Sequence, residues 1–308
     1  MDWIKPAALK PGDTIGIVAP ASNIKIDLLQ EGCRELERLG FRTYFRPDIV
    51  SQFRYFAGAD ARRRDEFLEM LRSPHIKAIF CARGGYGSGH LVPDLDSELL
   101  RAHAKIVSGA SDITIVLSRL QRAQVVSFHG PMVATSIRQG VEAYDRGILL
   151  DVLQHGKSVR FSLAETRVLK RGDAEGRLAG GCLSLVTASL GTPSEPDTQD
   201  SILVLEDIDA KPYQIDRMIT QLRQAGKFNA VRGIVFGEMP NCMQHPNQGY
   251  SLEEVLLDLL GDLNVPILFG FPTGHTTKQP NVIVPFGVRA RLTLHDSPTF
   301  ELLESAVS

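Results

Sequence analysis

The 308-residue chain has little that would mark a secreted, metal-binding or membrane protein. Its four cysteines, Cys33, Cys81, Cys182 and Cys242, are scattered and form no C-x-x-C pair. Neither a disulfide framework nor a thiolate zinc site is expected from them. No two histidines have the H-x-x-x-H or H-E-x-x-H spacing, and no carboxylates cluster as metal ligands do, so no metal is expected. The longest apolar runs, such as IVAPA and AIFCA, fall far short of the ~20 residues a membrane span needs. The opening MDWIKPAALKPGD has no basic stretch followed by an apolar one, so no secretory signal is read and a reducing cytoplasm is expected. A net charge of −2 leaves no basic excess for a phosphate backbone, which argues against nucleic acid as a partner.

What is present is an ordinary globular composition, 43% hydrophobic and 23% charged, in a chain long enough for two domains. The first half alternates apolar runs with amphipathic stretches. Strands are expected at Thr14–Ala19, Arg42–Arg46, Ile76–Cys81, Lys105–Val107 and Val125–Phe128, and helices at Asp27–Leu39, Asp60–Leu71 and Ile113–Leu120. That βαβα rhythm predicts an α/β domain over residues 1–153, with a doubly wound, mainly parallel sheet. Residues 154–176 are charged and lack a long apolar period; they read as a connection between domains, with strand-like pieces at Ser158–Phe161 and Thr166–Leu169. Residues 177–308 read as an α+β domain with a mixed sheet or small barrel. Its helices are expected at Cys182–Leu190, Tyr213–Ala225 and Leu252–Leu260. Its strands are expected at Ser201–Glu206, Val231–Phe236, Ile267–Phe269, Val282–Val284, Arg289–Leu294 and Thr299–Leu303.

Three places could carry chemistry. In Val107-Ser108-Gly109-Ala110-Ser111-Asp112-Ile113-Thr114 a strand ends and a helix begins at once. A serine on so sharp a turn holds its hydroxyl clear of the backbone, and the amide of the next residue can stabilise an oxyanion. Ser111 or Asp112 could equally be a helix N-cap. Arg83-Gly84-Gly85-Tyr86-Gly87-Ser88-Gly89 follows the strand Ile76–Cys81. Its glycines let backbone amides approach a ligand, or make a plain flexible turn. It has neither nucleotide-binding glycine spacing. Glu206-Asp207 ends the apolar strand LVLED, and His275 closes Gly270-Phe271-Pro272-Thr273-Gly274-His275 after another strand. Ligand sites in α/β sheets lie at such strand ends. Asp207 or Asp209 could replace Glu206 as the acid, and His129 is the rival base.

Together these segments resemble the LD-carboxypeptidase family of serine peptidases. The resemblance runs through LKPGDTIGIVAPAS, YFAGADARRRDEFLEML, AIFCARGGYGSGH, SGASDIT, FHGPM, EGRLAGGCLSLV, ILVLEDIDAKPYQIDRMITQL and FGFPTGHT, in order along nearly the whole chain. It implies a Ser–Glu–His triad of Ser111, Glu206 and His275, an oxyanion hole from the Gly85 and Asp112 amides, and a homodimer. It implies no cofactor and a peptide substrate, a murein tetrapeptide that loses its terminal D-alanine. Arg83 is the candidate for reading the free terminal carboxylate, since a guanidinium matches that planar group, or else forms a structural ion pair. Gly84 and Tyr86 of the same loop are the further substrate-binding candidates. The chain departs from the family pattern at Ala110, where Tyr is common, and at Cys182, where Asn is common.

Two other readings remain. Relatives resembling the microcin C immunity peptidase cleave a peptidyl-nucleotide and would need an aromatic to stack on the base. Residues 156–176 offer only Phe161, and the one tryptophan is Trp3. A non-catalytic two-lobed binding protein would use the same glycine loops, but would not need His275.

Overall fold

Alternating apolar and amphipathic stretches become two sheets joined by one core. The computed structural model describes residues 3–155, 158–242 and 249–308. The strands are β1 (Thr14–Val18), β2 (Arg42–Tyr44), β3 (Ile76–Cys81), β4 (Ile106–Gly109), β5 (Ser127–His129), β6 (Arg160–Phe161), β7 (Arg167–Lys170) and β8 (Gly172–Cys182). They continue with β9 (Ser201–Glu206), β10 (Gly233–Gly237), β11 (Ile267–Phe271), β12 (Val284–Phe286), β13 (Arg289–Leu294) and β14 (Thr299–Leu302). The helices are α1 (Ile26–Arg38), α2 (Asp60–Arg72), α3 (Ser97–Ala102), α4 (Thr114–Arg122), α5 (Arg146–Leu150), α6 (Leu183–Ala188), α7 (Pro212–Gln224) and α8 (Leu252–Leu260).

The first sheet has six strands in the order β12-β5-β4-β3-β1-β2, parallel except for β12. Its inner strands β1, β3 and β4 are buried on both faces because both are covered, as parallel sheets require, while edge strand β2 is exposed. On β3, Ala78 and Phe80 join a core that includes Leu29 and Leu36 of α1. Ile79 and Cys81 turn the other way, towards Phe67 and Leu71 of α2, Leu100 of α3 and Val116 of α4. This is the expected doubly wound arrangement.

The second sheet has eight strands in the order β6-β14-β13-β8-β9-β10-β11-β7. Strands β8 to β11 run parallel, and the flanking strands run antiparallel. It is an open mixed sheet, not a barrel. Leu203, Leu205, Ile234 and Phe236 pack under α6, α7 and α8. Their neighbours Val204, Val235 and Leu268 face the same core as Phe80 and Phe128 of the first sheet. One apolar core therefore joins the two sheets.

Two segments differ in part from the sequence reading: strands form at the strand-like pieces of 154–176, but the stretch belongs to the second sheet and is not a free connection. Of the stretch 154–176, Gly156 and Lys157 lie outside the described residues. The rest carries β6, β7 and the start of β8, all paired into the second sheet. Edge strands lack a long apolar period because one side faces water, and β8 is disguised by Gly172, Gly176, Gly180 and Gly181. Those glycines are needed: a Cβ on Gly176 or Gly180 would collide with the β9 backbone. The strand expected at Val282–Val284 forms at Val284–Phe286 and crosses to the first sheet, where Val284 pairs with His129.

Candidate active site

The glycine loop, the serine turn, Glu206 and the His275 loop all follow the C-terminal ends of parallel strands, β3, β4, β9 and β11 respectively. Open α/β sheets place their ligand clefts there.

Ser111 sits between β4 and α4 in the left-handed region, at φ 61°. That conformation costs a non-glycine residue about 1–2 kcal/mol. Such strain marks a position whose geometry the surroundings impose. Two contacts impose it here. The Ser88 N–H donates to the buried Asp112 carboxylate at 2.8 Å, and the Ser88 hydroxyl donates to the Asp112 carbonyl at 2.6 Å. These fasten the glycine loop to the serine turn. Gly84 then lies so close that a Cβ there would stand 3.0 Å from Ser111 Oγ. Among the described residues, no hydrogen bond engages the Gly85 N–H or the Asp112 N–H.

The glycine loop has a second support that the sequence reading missed. Arg63 of α2 is fully buried and donates to the carbonyls of Pro20 at 2.7 Å and Gly87 at 2.6 Å. Glu66, also fully buried, accepts the Ala19 N–H at 2.7 Å. The charged motif ARRRDEF therefore ties together the loops after β1 and β3. Its signal was there: charges where α2 should be apolar.

Glu206 is the last residue of β9 and is fully buried. Its Oε2 accepts the His275 backbone N–H at 2.9 Å and meets His275 Nδ1 at 2.6 Å. Gly274 is obligatory, because a Cβ there would overlap the Glu206 carboxyl. Burial pushes the Glu206 carboxyl up, but the His275 charge, both His275 hydrogen bonds and nearby His129 outweigh it, and the group is held below its ordinary value. Burial likewise lowers His275, but the Glu206 charge and hydrogen bond outweigh it and the imidazole is raised. Glu238, also missed from sequence, orders the chain beyond His275. Its carboxylate accepts the amides of Thr277 at 2.8 Å and of Lys278 and Gln279 at 3.0 Å.

The alternatives to Glu206 have other duties. Asp207 accepts the Ser184 and Ile208 amides, each at 2.8 Å, and so caps α6. Asp209 accepts Asn241 Nδ2 at 2.8 Å. His129 is fully buried behind Glu206, with Nε2 3.5 Å from Oε1, away from the open cleft.

Ser111, His275, Arg83, Gly84 and Gly85 line one cleft of about 270 Å³, closed by Met132, Thr135, Ser136, Gln139, Ile208, Gly274 and Thr276. Arg83 is exposed and has no ion-pair partner among the described residues; its one contact is a 3.5 Å approach to the Asn23 carbonyl. The Tyr86 ring does not line this cleft. It stands 53% exposed against Tyr55 and Phe56, at 5.7 and 5.8 Å between ring centroids. A buried carboxylate, an imidazole oriented by it and a hydroxyl beside glycine amides make a constellation suited to acyl transfer.

The family patterns of the LD-carboxypeptidase N-terminal and C-terminal domains match residues 15–130 and 175–292. The chain is 38% identical to a probable murein peptide carboxypeptidase of Bacillus subtilis, over 99% of this chain and 95% of the relative. The chain belongs to the LD-carboxypeptidase family. A second LD-carboxypeptidase relative, the murein tetrapeptide carboxypeptidase of Pseudomonas aeruginosa, is 31% identical over 90% of this chain and 92% of its own. The microcin C7 self-immunity protein MccF of Escherichia coli is 26% identical over 98% of this chain and 96% of its own. A solved structure of MccF superposes with a TM-score of 0.89 at 23% identity, covering 99% of this chain and 100% of that one. That likeness shows that this chain and MccF share the two-sheet fold. Membership makes this chain a peptidase-type hydrolase. Among the described residues, no helix is long and apolar enough to cross a membrane, and no group of three or more His, Cys, Asp or Glu could hold a metal ion.

Proposed function

We propose that this protein is a serine-type LD-carboxypeptidase that releases the terminal D-alanine of a murein tetrapeptide, with Ser111 as nucleophile, His275 as base and Glu206 as its orienting acid. The observation that carries the reading is the buried Glu206 carboxylate, 2.6 Å from His275 Nδ1, behind an imidazole that shares its cleft with a strained Ser111. Glu206 fixes the proton on Nδ1, which leaves Nε2 free to accept.

Nε2 takes the Ser111 hydroxyl proton as Oγ bonds to the carbonyl carbon of the scissile amide. The carbonyl oxygen becomes an oxyanion between the Gly85 and Asp112 amides, and each such donor typically stabilises the transition state by ~3 kcal/mol. The intermediate then expels the D-alanine amine, which takes the proton from His275. Water, deprotonated by the same Nε2, attacks the acyl-enzyme and frees Ser111. Arg83, exposed and without a carboxylate of its own, suits the substrate's terminal carboxylate.

A peptidyl-nucleotide substrate is supported less well. Phe161 is buried against Phe271 and Phe300, at 5.3 and 5.0 Å between ring centroids, and Trp3 stands under Arg177. Neither ring is available to a base in the cleft. The homodimer is proposed on the family resemblance, and the cytoplasmic location on the scattered cysteines and the absence of a secretory pattern in the sequence.

The test is mass spectrometry of an L,D-tetrapeptide digest with Ser111→Ala beside the native protein. The native protein should remove one D-alanine. The variant should lose at least about 10⁴-fold in turnover while keeping its thermal midpoint. Normal turnover by the variant would exclude the triad.

A further inference from the structure

His129 is spare in this mechanism, and its surroundings are unusual. It ends β5 and pairs in register with Gly109, two residues before Ser111, on one side and with Val284 on the other. Its ring is fully buried and stacks on Phe286, with 5.4 Å between centroids and 23° between planes. Neither of its ring nitrogens has a hydrogen-bond partner among the described residues, and neither has Glu206 Oε1. These groups approach each other, with His129 Nε2 3.5 Å from Glu206 Oε1.

A buried imidazole is a poor filler. Its two polar nitrogens cost free energy unless paired, and an apolar ring would fill the space more cheaply. A buried carboxylate with one bare oxygen carries the same penalty. Each group is the other's available remedy.

Resting on the proposed triad, we infer that His129 is a positioning residue, a neutral imidazole whose Nε2–H holds Glu206 Oε1 so that Oε2 stays aimed at His275. The 3.5 Å gap is a contact that tightens when charge develops on His275, as catalytic hydrogen bonds do between free and reacting states. The charged groups facing His129 are Glu206, from β9, and His275, from the loop after β11. Burial lowers the His129 imidazole to about 4, with Glu206 opposing and His275 adding to the shift. The ring therefore stays neutral while His275 titrates. Because β5 also flanks β4, which leads into Ser111, the same side chain sets the distance between the first sheet and the acid.

The test compares His129→Leu, which cannot donate, with His129→Gln, whose amide can reach the same oxygen. His129→Leu should lose about 10- to 100-fold in kcat with KM little changed, the scale of a misaligned base. Its acid limb in kcat/KM should move upward, because Glu206 loses a donor and becomes more basic. His129→Gln should recover most of both. Equal loss in the two variants, or none in His129→Leu, would overturn the assignment. Nitrogen-15 NMR of the native protein gives an independent reading that survives a misfolded variant. His129 should be a neutral Nε2–H tautomer from pH 5 to 9, and an Nδ1–H tautomer or a cation there would overturn the proposal. If the native protein released no D-alanine, the functional reading would fail, and the NMR measurement would still decide the role of His129.

Discussion

Thr114 Oγ1 accepts the Cys182 N–H at 3.0 Å across the junction of the two sheets. Thr114 opens α4, the helix that starts behind Ser111, and Cys182 pairs in register with Glu206. One hydroxyl thus links the helix behind Ser111 to the strand beside Glu206. Gly181 makes room for it, since a Cβ there would strike the Thr114 side chain. Thr114→Val keeps the shape and removes the acceptor, leaving a buried N–H unpaired. It should cost about 1–3 kcal/mol in urea unfolding. Unchanged stability would mean that the sheets are held by the shared apolar core alone.

In the proposed mechanism neutral His275 is the base, so activity should rise as pH rises through its folded pKa. That pKa is raised, so the acid limb of kcat/KM should lie above the ordinary histidine value. The same shift makes protonated His275 a stabilising group: its contribution is full below the unfolded pKa and is lost as pH rises through the folded one. Glu206→Gln removes the charge that raises His275, so the limb should move down, with kcat falling about 10³- to 10⁴-fold. A limb that stays in place would show that another group titrates.

Arg83 is expected to act on binding. Arg83→Ala should raise KM for a tetrapeptide about 10- to 100-fold with kcat nearly constant, the pattern of lost uniform binding. Arg83→Lys should recover little, because a point charge does not reproduce the two-pronged contact. Steady-state kinetics on a substrate with an amidated C-terminus completes the check: native protein and variant should perform alike on it.

Arg63 should matter for stability first. Arg63→Leu strips donors from the Pro20 and Gly87 carbonyls and removes the cation 4.7 Å from the Phe56 ring centroid. Each orphaned buried carbonyl costs about 1–3 kcal/mol. The thermal midpoint should fall, and hydrogen exchange should quicken in residues 83–89 before elsewhere.

Taken alone, the sequence determined the local order. Strands such as Ile76–Cys81, Ser201–Glu206 and Arg289–Leu294 form where apolar runs between breakers place them, because backbone period and burial are local properties of a run. The segments carrying Ser111, Glu206 and His275 were legible too, since each is a polar residue stranded at the end of an apolar strand. Partnership was not legible. That β12 leaves its neighbours to join the first sheet, and that the glycine-rich β8 is a central strand, depend on which backbone lies alongside. Sequence patterns report how a segment repeats, not what it meets. Only the tertiary structure shows that Glu206 meets His275 while Asp207 holds the Ser184 and Ile208 amides and Asp209 holds Asn241. It also set His129 behind Glu206 and outside the cleft that Ser111 and His275 line. Both choices follow from burial, which leaves a charged group in the core no freedom except to find a donor.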